Sequence, residues 1–123
     1  MNINAAIISA LSGIVNGNCW AIGKPVTADP DEYIVFNPEN EYLDYGDNQD
    51  TADIETSMQV HWFGRGQVNY RAKRKAVRDA LRGAGFILES SPFVEYQTEN
   101  PTGVKSSGTV WTHFCVVCRA EGE

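Results

Sequence analysis

The apolar positions change period several times along the chain, and each change marks an element. Ile3, Ile7, Ala10, Leu11 and Ile14 recur at helical spacing, which predicts an amphipathic helix at the start. Asn2 or Asn4 is placed to cap it, and Gly17 to end it. The segment 19–31 holds Gly23, Pro25 and Pro30 and reads as a connector. Tyr33-Ile34-Val35-Phe36 is an unbroken apolar run, the pattern of a short strand buried on both faces. Over 55–63 the pattern alternates, with Met58, Val60 and Trp62 on one side and Gln59, His61 and Phe63 on the other. That is a half-buried strand. Gly64 and Gly66 end it, Asn69 is a good N-cap, and a helix over 70–83 stops at Gly83-Ala84-Gly85.

Beyond that helix, Phe86-Ile87-Leu88-Glu89 starts a strand that is interrupted at Pro92 and resumes over 93–96. Residues 98–108, with Pro101 and Gly103, read as a polar loop. A long strand over 109–118 closes the chain. Val110, Thr112, Phe114, Val116 and Cys118 share one face, and Trp111, His113, Cys115 and Val117 the other. The element order is α-β-β-α-β-β, which predicts an α+β fold: a mostly antiparallel sheet of four to five strands packed by two helices. With 123 residues and no internal repeat, a single domain over 1–123 is expected.

Composition narrows the class. At 42% hydrophobic residues the chain is too apolar to be disordered. No apolar run approaches the ~20 residues of a membrane span, so a small soluble protein is expected. The first basic residue is Lys24, and Ser9, Ser12 and Gly13 break the early apolar stretch, so a signal peptide is not expected. Asn2 stands where myristoylation needs glycine. Three cysteines, Cys19, Cys115 and Cys118, are an odd number, which argues against a disulfide framework and for a reducing compartment. The Cys115-Val-Val-Cys118 pair lies inside a strand-like run, where positions i and i+3 face opposite ways. The three are expected to be buried apolar residues rather than zinc ligands or a redox pair.

Charge is unevenly placed. Sixteen acids against ten bases give a net charge of −6, a poor start for a generic nucleic-acid binder. Six of the ten bases, however, are Arg71, Lys73, Arg74, Lys75, Arg78 and Arg82, with Asp79 alone opposing them. That segment carries +5 and the remainder −11. On a helix, Arg71, Arg74, Lys75, Arg78 and Arg82 fall within an arc of roughly 100°, opposite Tyr70, Val77, Leu81 and four alanines. Lys73 intrudes on the apolar half and is expected to reach its edge. The segment 38–54 has the opposite character, with Glu41, Asp44, Asp47, Asp50 and Asp53 and no Lys or Arg, and reads as an exposed, partly extended loop or hairpin.

Three readings of the basic helix compete: a solvated face, a nucleic-acid contact, and one half of a charge-complementary protein interface. The acidic remainder and the lack of aromatic residues along the ridge disfavour nucleic acid. The acidic segment, of opposite sign and similar size, favours an interface, and a subunit with one patch of each sign is suited to head-to-tail rings.

Motifs of catalysis are missing. The sequence has no GxSxG, no HExxH and no second CxxC, and Gly64-Arg65-Gly66 lacks the continuation of a phosphate loop. His61 and His113 alternate with apolar residues in strands and are expected to be structural. The chain is not expected to be an enzyme or to hold a cofactor or metal.

Three stretches carry a family resemblance: Tyr33-Ile34-Val35-Phe36-Asn37 with the later Gln59-Val60-His61-Trp62-Phe63; the helix pattern NYxAKRKxVRxALxxAGF over 69–86; and the closing Thr112-His113-Phe114-Cys115-Val116. Together they span 33–118, and in them the chain resembles the tail terminator, or tail-completion, proteins of long-tailed bacteriophages. The resemblance implies an α+β virion assembly protein without catalytic residues. It implies a homohexameric ring that caps the tail tube, stops its polymerisation and presents a surface to the head-side connector. The implied partners are its own copies, the tail tube protein and the connector or stopper, with no membrane and with DNA only as cargo through the lumen. The implied location is the tail–neck junction of the virion, after assembly in the host cytoplasm. A neighbouring neck protein, either the head-closure stopper or another connector ring component, is the alternative within the virion. A small nucleic-acid-binding regulator using the helix over 70–83 is the alternative outside it.

Overall fold

Asn2 starts the first helix, α1 (Ile3–Leu11), by accepting the Ala5 N–H on its side-chain oxygen at 3.0 Å. This satisfies one of the orphan donors of the first turn. The computed structural model describes residues 2–23, 30–44, 53–66, 69–89, 94–97 and 110–121. The helix tightens into a 3-10 turn, Ser12–Ile14. Asn16 and Gly17 then adopt φ values of 54° and 85°, the left-handed conformation that ends helices. The Gly17 N–H closes back on the Ser12 carbonyl at 2.7 Å.

The reversal delivers the chain directly into a strand, β1 (Cys19–Ala21), where a connector was expected. Three residues are too few to show a period. β1 runs parallel to β2 (Glu32–Asp44), pairing Cys19 with Ile34 and Ala21 with Phe36. β2 and β3 (Asp53–Arg65) are antiparallel from Glu32↔Gly64 to Asp44↔Asp53. The acidic stretch is therefore carried on paired strands over 38–44 and 53–58, and residues 55–58 pair on their other side with 118–121 of the closing strand. Residues 45–52, between β2 and β3, lie outside the described residues. The register slips between Pro38 and Asn40, a bulge where proline has no N–H to give.

After the second helix, α2 (Arg71–Gly83), come β4 (Ile87–Leu88), β5 (Val94–Gln97) and β6 (Trp111–Glu121). β4 and β5 pair with successive parts of β6, at Arg119–Cys118 and at Phe114–Trp111. The sheet order is β1-β2-β3-β6-β4 with β5 also on β6, so six strands make a sheet five ranks wide. All pairs but β1·β2 are antiparallel. The fold is α+β, with two helices on a mixed, mostly antiparallel sheet. Its order differs from the expected one by the extra strand β1, while β4 and β5 lie on either side of the interruption expected at Pro92, which is itself outside the described residues. The polar loop expected over 98–108 lies outside the described residues.

Both helices pack on one face of the sheet. Ile3, Ile7, Leu11 and Val15 meet Val77 and Leu81 above Ile34, Phe36, Val60, Trp62, Phe114 and Val116. Trp62 and Phe114 stack with centroids 5.0 Å apart. The opposite face holds a second cluster of Tyr33, Val35, Phe63 and Trp111, edged by Trp20. All four residues of the run 33–36 are thus buried, as an unbroken apolar run requires.

Candidate interaction surface

α2 forms where the sequence places it. Asn69 accepts the Arg71 N–H on its side-chain oxygen at 3.1 Å, although Tyr70 is the residue at the cap itself. Val77 and Leu81 are fully buried, with Tyr70, Ala80 and Ala84 packed beside them. The buried stripe fixes the helix's rotation, and the rotation sends the cations outward. Arg71, Arg74, Lys75, Arg78 and Arg82, with Asp79, line one shallow, open surface.

The ridge is only lightly neutralised. Lys75 donates to Asp79 at 2.7 Å, and Arg82 lies 3.6 Å from the other carboxylate oxygen. The Lys75 hydrogen bond, helped by the charges of Lys75, Arg82 and Arg78, holds the Asp79 carboxyl below its ordinary value. Arg74 lies over the Tyr70 ring at 5.3 Å, a cation–π contact that leaves its charge in place. Among the described residues, the ridge's ion pairs go no further than Asp79.

Lys73 departs from the ridge. Its ammonium donates to the Ile14 carbonyl at 3.1 Å and to Glu32 at 3.2 Å, so it ties α2 to the sheet rather than facing a partner.

Glu41 and Asp44 lie on β2 and Asp53 at the head of β3, where Asp44 and Asp53 are register partners. Asp47 and Asp50 lie outside the described residues. α2 packs on α1, the 3-10 turn, β4 and β6, whereas the acids belong to the β2–β3 ribbon. The fold thus carries the two charged features on different elements.

One constellation was not foreseen. The β3·β6 register sets Phe63 opposite His113 and His61 opposite Cys115. The His61 Nδ1 and His113 Nε2 come within 2.8 Å, and Gln59 Oε1 sits 3.2 Å from His61 Nε2. Phe63 stacks on His113 at 4.5 Å and 6°. The alternation placed each histidine on a face of its own strand; that they share a face and touch follows from the register. Bonded and stacked in this way, they brace the sheet. Cys19, Cys115 and Cys118 are free thiols, all buried. Burial pushes the Cys19 and Cys118 thiols up to about 12, far from a reactive thiolate. Among the described residues, no three His, Cys, Asp or Glu side chains converge as a metal site, and no helix is long and apolar enough to cross a membrane.

No protein-family model and no curated protein sequence matches the chain. Its fold does have a counterpart. It is similar to a chain of the virion of a native gene transfer agent (GTA) particle, with TM-score 0.51 and 13% identity, over 98% of this chain and 96% of that one.

Proposed function

We propose that this protein is a non-catalytic structural component of a virion, a tail terminator. Copies of it form a homohexameric ring that caps the tail tube, stops tube polymerisation and joins the tube to the head-side connector. The observation that carries this reading is the likeness to a virion chain over nearly the whole length of both proteins. A match of that extent relates one entire domain to another, so it is not a shared motif inside unrelated folds. The family resemblance of 33–118 supplies the finer role. The division of charge between α2 and the β2–β3 ribbon agrees with a subunit built to join others.

The test is removal of the chain from the particle that encodes it. Tails of unregulated length without heads are expected, and the purified protein added to growing tubes should arrest them. Tails of normal length that lack heads would assign the chain to the head-closure step instead. Normal, headed particles would remove it from the tail–neck junction altogether.

A further inference from the structure

The cations of the α2 ridge are unequally engaged. Lys75 and Arg82 both close on Asp79, at 2.7 and 3.6 Å. Arg71, Arg74 and Arg78 lie on the flank of the ridge away from Asp79, within about 60° of helical arc. Among the described residues, no carboxylate forms an ion pair with these three. Arg71 is exposed, Arg74 and Arg78 are half-buried, and Arg74 is held over the Tyr70 ring at 5.3 Å. A guanidinium already held in place gives up less freedom when an anion binds it.

The row also starts at the positive end of the helix dipole. The first turn of α2 has Arg71, Lys73 and Arg74 and no acid, the reverse of what favours a helix. Glu32 answers Lys73; Arg71 and Arg74 have no such partner. Helix stability does not account for that placement, whereas an anionic partner meets the dipole and the guanidinium groups together. Three observations favour carboxylates over the phosphates of nucleic acid. A carboxylate, Asp79, already sits among the ridge cations. Tyr70, the aromatic residue beside the row, packs on the core and under Arg74, so its ring is taken and not open to a base. The chain outside 70–83 carries −11, which repels an extended polyanion far more than a short acidic segment.

We propose that Arg71, Arg74 and Arg78 seat an acidic segment of a second protein of the particle. This inference rests on the virion reading above and names the chemistry of one of its contacts. Arg74 and Arg78 stand one turn apart, about 6 Å along the axis. Acids at alternate positions of an extended segment are about 7 Å apart, so two successive acids reach the two guanidinium groups. Each carboxylate accepts a forked pair of N–H bonds, and Arg71 extends the row to a third.

The test uses the full chain and a fluorescein-labelled peptide of alternating Glu and Ser. Anisotropy is read at about 0.05 M salt, where the Debye length still exceeds about 10 Å. The parent is expected to bind the peptide, and the R74E, R78E double variant to bind it roughly tenfold or more weakly. K73Q removes a cation from the same helix but off the row, and should leave affinity within about twofold. D79N should bind roughly two- to fivefold more tightly, because it releases Lys75 and Arg82. Circular dichroism identical to the parent excludes misfolding as the cause of a loss. No binding by the parent, a loss in K73Q as large as in the double variant, or a D79N variant that fails to tighten binding overturns the contact. A duplex bound more tightly than the peptide also overturns it and gives the row to phosphates. In the particle, copies carrying R74E and R78E should still associate with one another and no longer be retained; copies that cease to associate would make the row a self-contact and overturn the proposal. Normal, headed particles without the chain would remove the virion reading and leave the peptide result standing, so the two fail separately.

Discussion

Lys73 reaches from α2 to Glu32 at the start of β2, with Nζ 3.2 Å from Oε1. The other carboxylate oxygen, Oε2, accepts the Trp62 indole N–H at 3.0 Å. Glu32 therefore joins α2, β2 and the buried tryptophan of β3, the central strand. Glu32→Ala is expected to lower stability by about 1–3 kcal/mol, because the indole donor loses its acceptor where little water can replace it. Glu32→Gln keeps an acceptor for the indole and gives up only the partly exposed ion pair, so its loss should stay below about 1 kcal/mol. Urea unfolding followed by tryptophan fluorescence distinguishes the two. Equal losses would place the stabilisation in the charge rather than in the indole bond.

Gly17 and Gly83 offer opposite responses to the same substitution. Gly17 has φ of +85°, whereas Gly83 closes α2 with an ordinary helical backbone, and a Cβ at either meets nothing within 4 Å. Only the backbone decides. Gly17→Ala should cost about 1 kcal/mol, since an L side chain disfavours the left-handed region. Gly83→Ala should stabilise by about 0.5 kcal/mol by reducing the freedom of the unfolded chain. Thermal unfolding of the two variants checks the pair, and a shift of the same sign in both would contradict the assignment.

What the sequence disclosed followed from period. α2 and the faces of β3 and β6 were legible because each has enough residues to repeat a pattern, and the cationic ridge followed from the rotation that Val77 and Leu81 impose. β1 was not legible, since Cys19–Ala21 is held by pairing with β2 and not by any local preference. The ribbon was half-legible: acids and Pro38 disguise strands whose pairing comes from β3 across the register. The His61–His113 bond was invisible for a related reason. It joins positions 52 residues apart, and only the alignment of β3 with β6 brings them together. Long-range pairing, more than composition, separates what the pattern predicts from what the fold contains.

Burial of the thiols gives a pH dependence with a definite sign. The Cys118 thiol is pushed from 9.0 up to about 12, first by burial and then by Glu89 and Cys115, and Cys19 likewise by burial. The folded state therefore keeps protons that the unfolded chain releases above about pH 9. Stability from this source is whole below that pH and falls as pH rises toward 12, by at most about 1.4 kcal/mol per pH unit for each thiol. Cys118→Ala should have a shallower fall than the parent between pH 9 and 11, whatever its stability at pH 8. Urea midpoints across that range measure it. Parallel curves for parent and variant would show that Cys118 does not carry the effect.

Duplex DNA separates an assembly ridge from a regulator's recognition helix. Five ridge cations, Arg71, Arg74, Lys75, Arg78 and Arg82, used on phosphates would give a log–log salt slope of about −4.5. A protein–protein contact between opposite charges is instead screened more gently, as the Debye length shortens from about 10 Å at 0.1 M to about 3 Å at 1 M salt. The net charge of −6 repels DNA at long range in either case. The expectation is no mobility shift of a duplex at about 0.15 M salt under conditions where the protein assembles, and gradual loss of assembly as salt rises. A shift with the steep slope, abolished by R74E and R78E, would reassign α2 to nucleic acid.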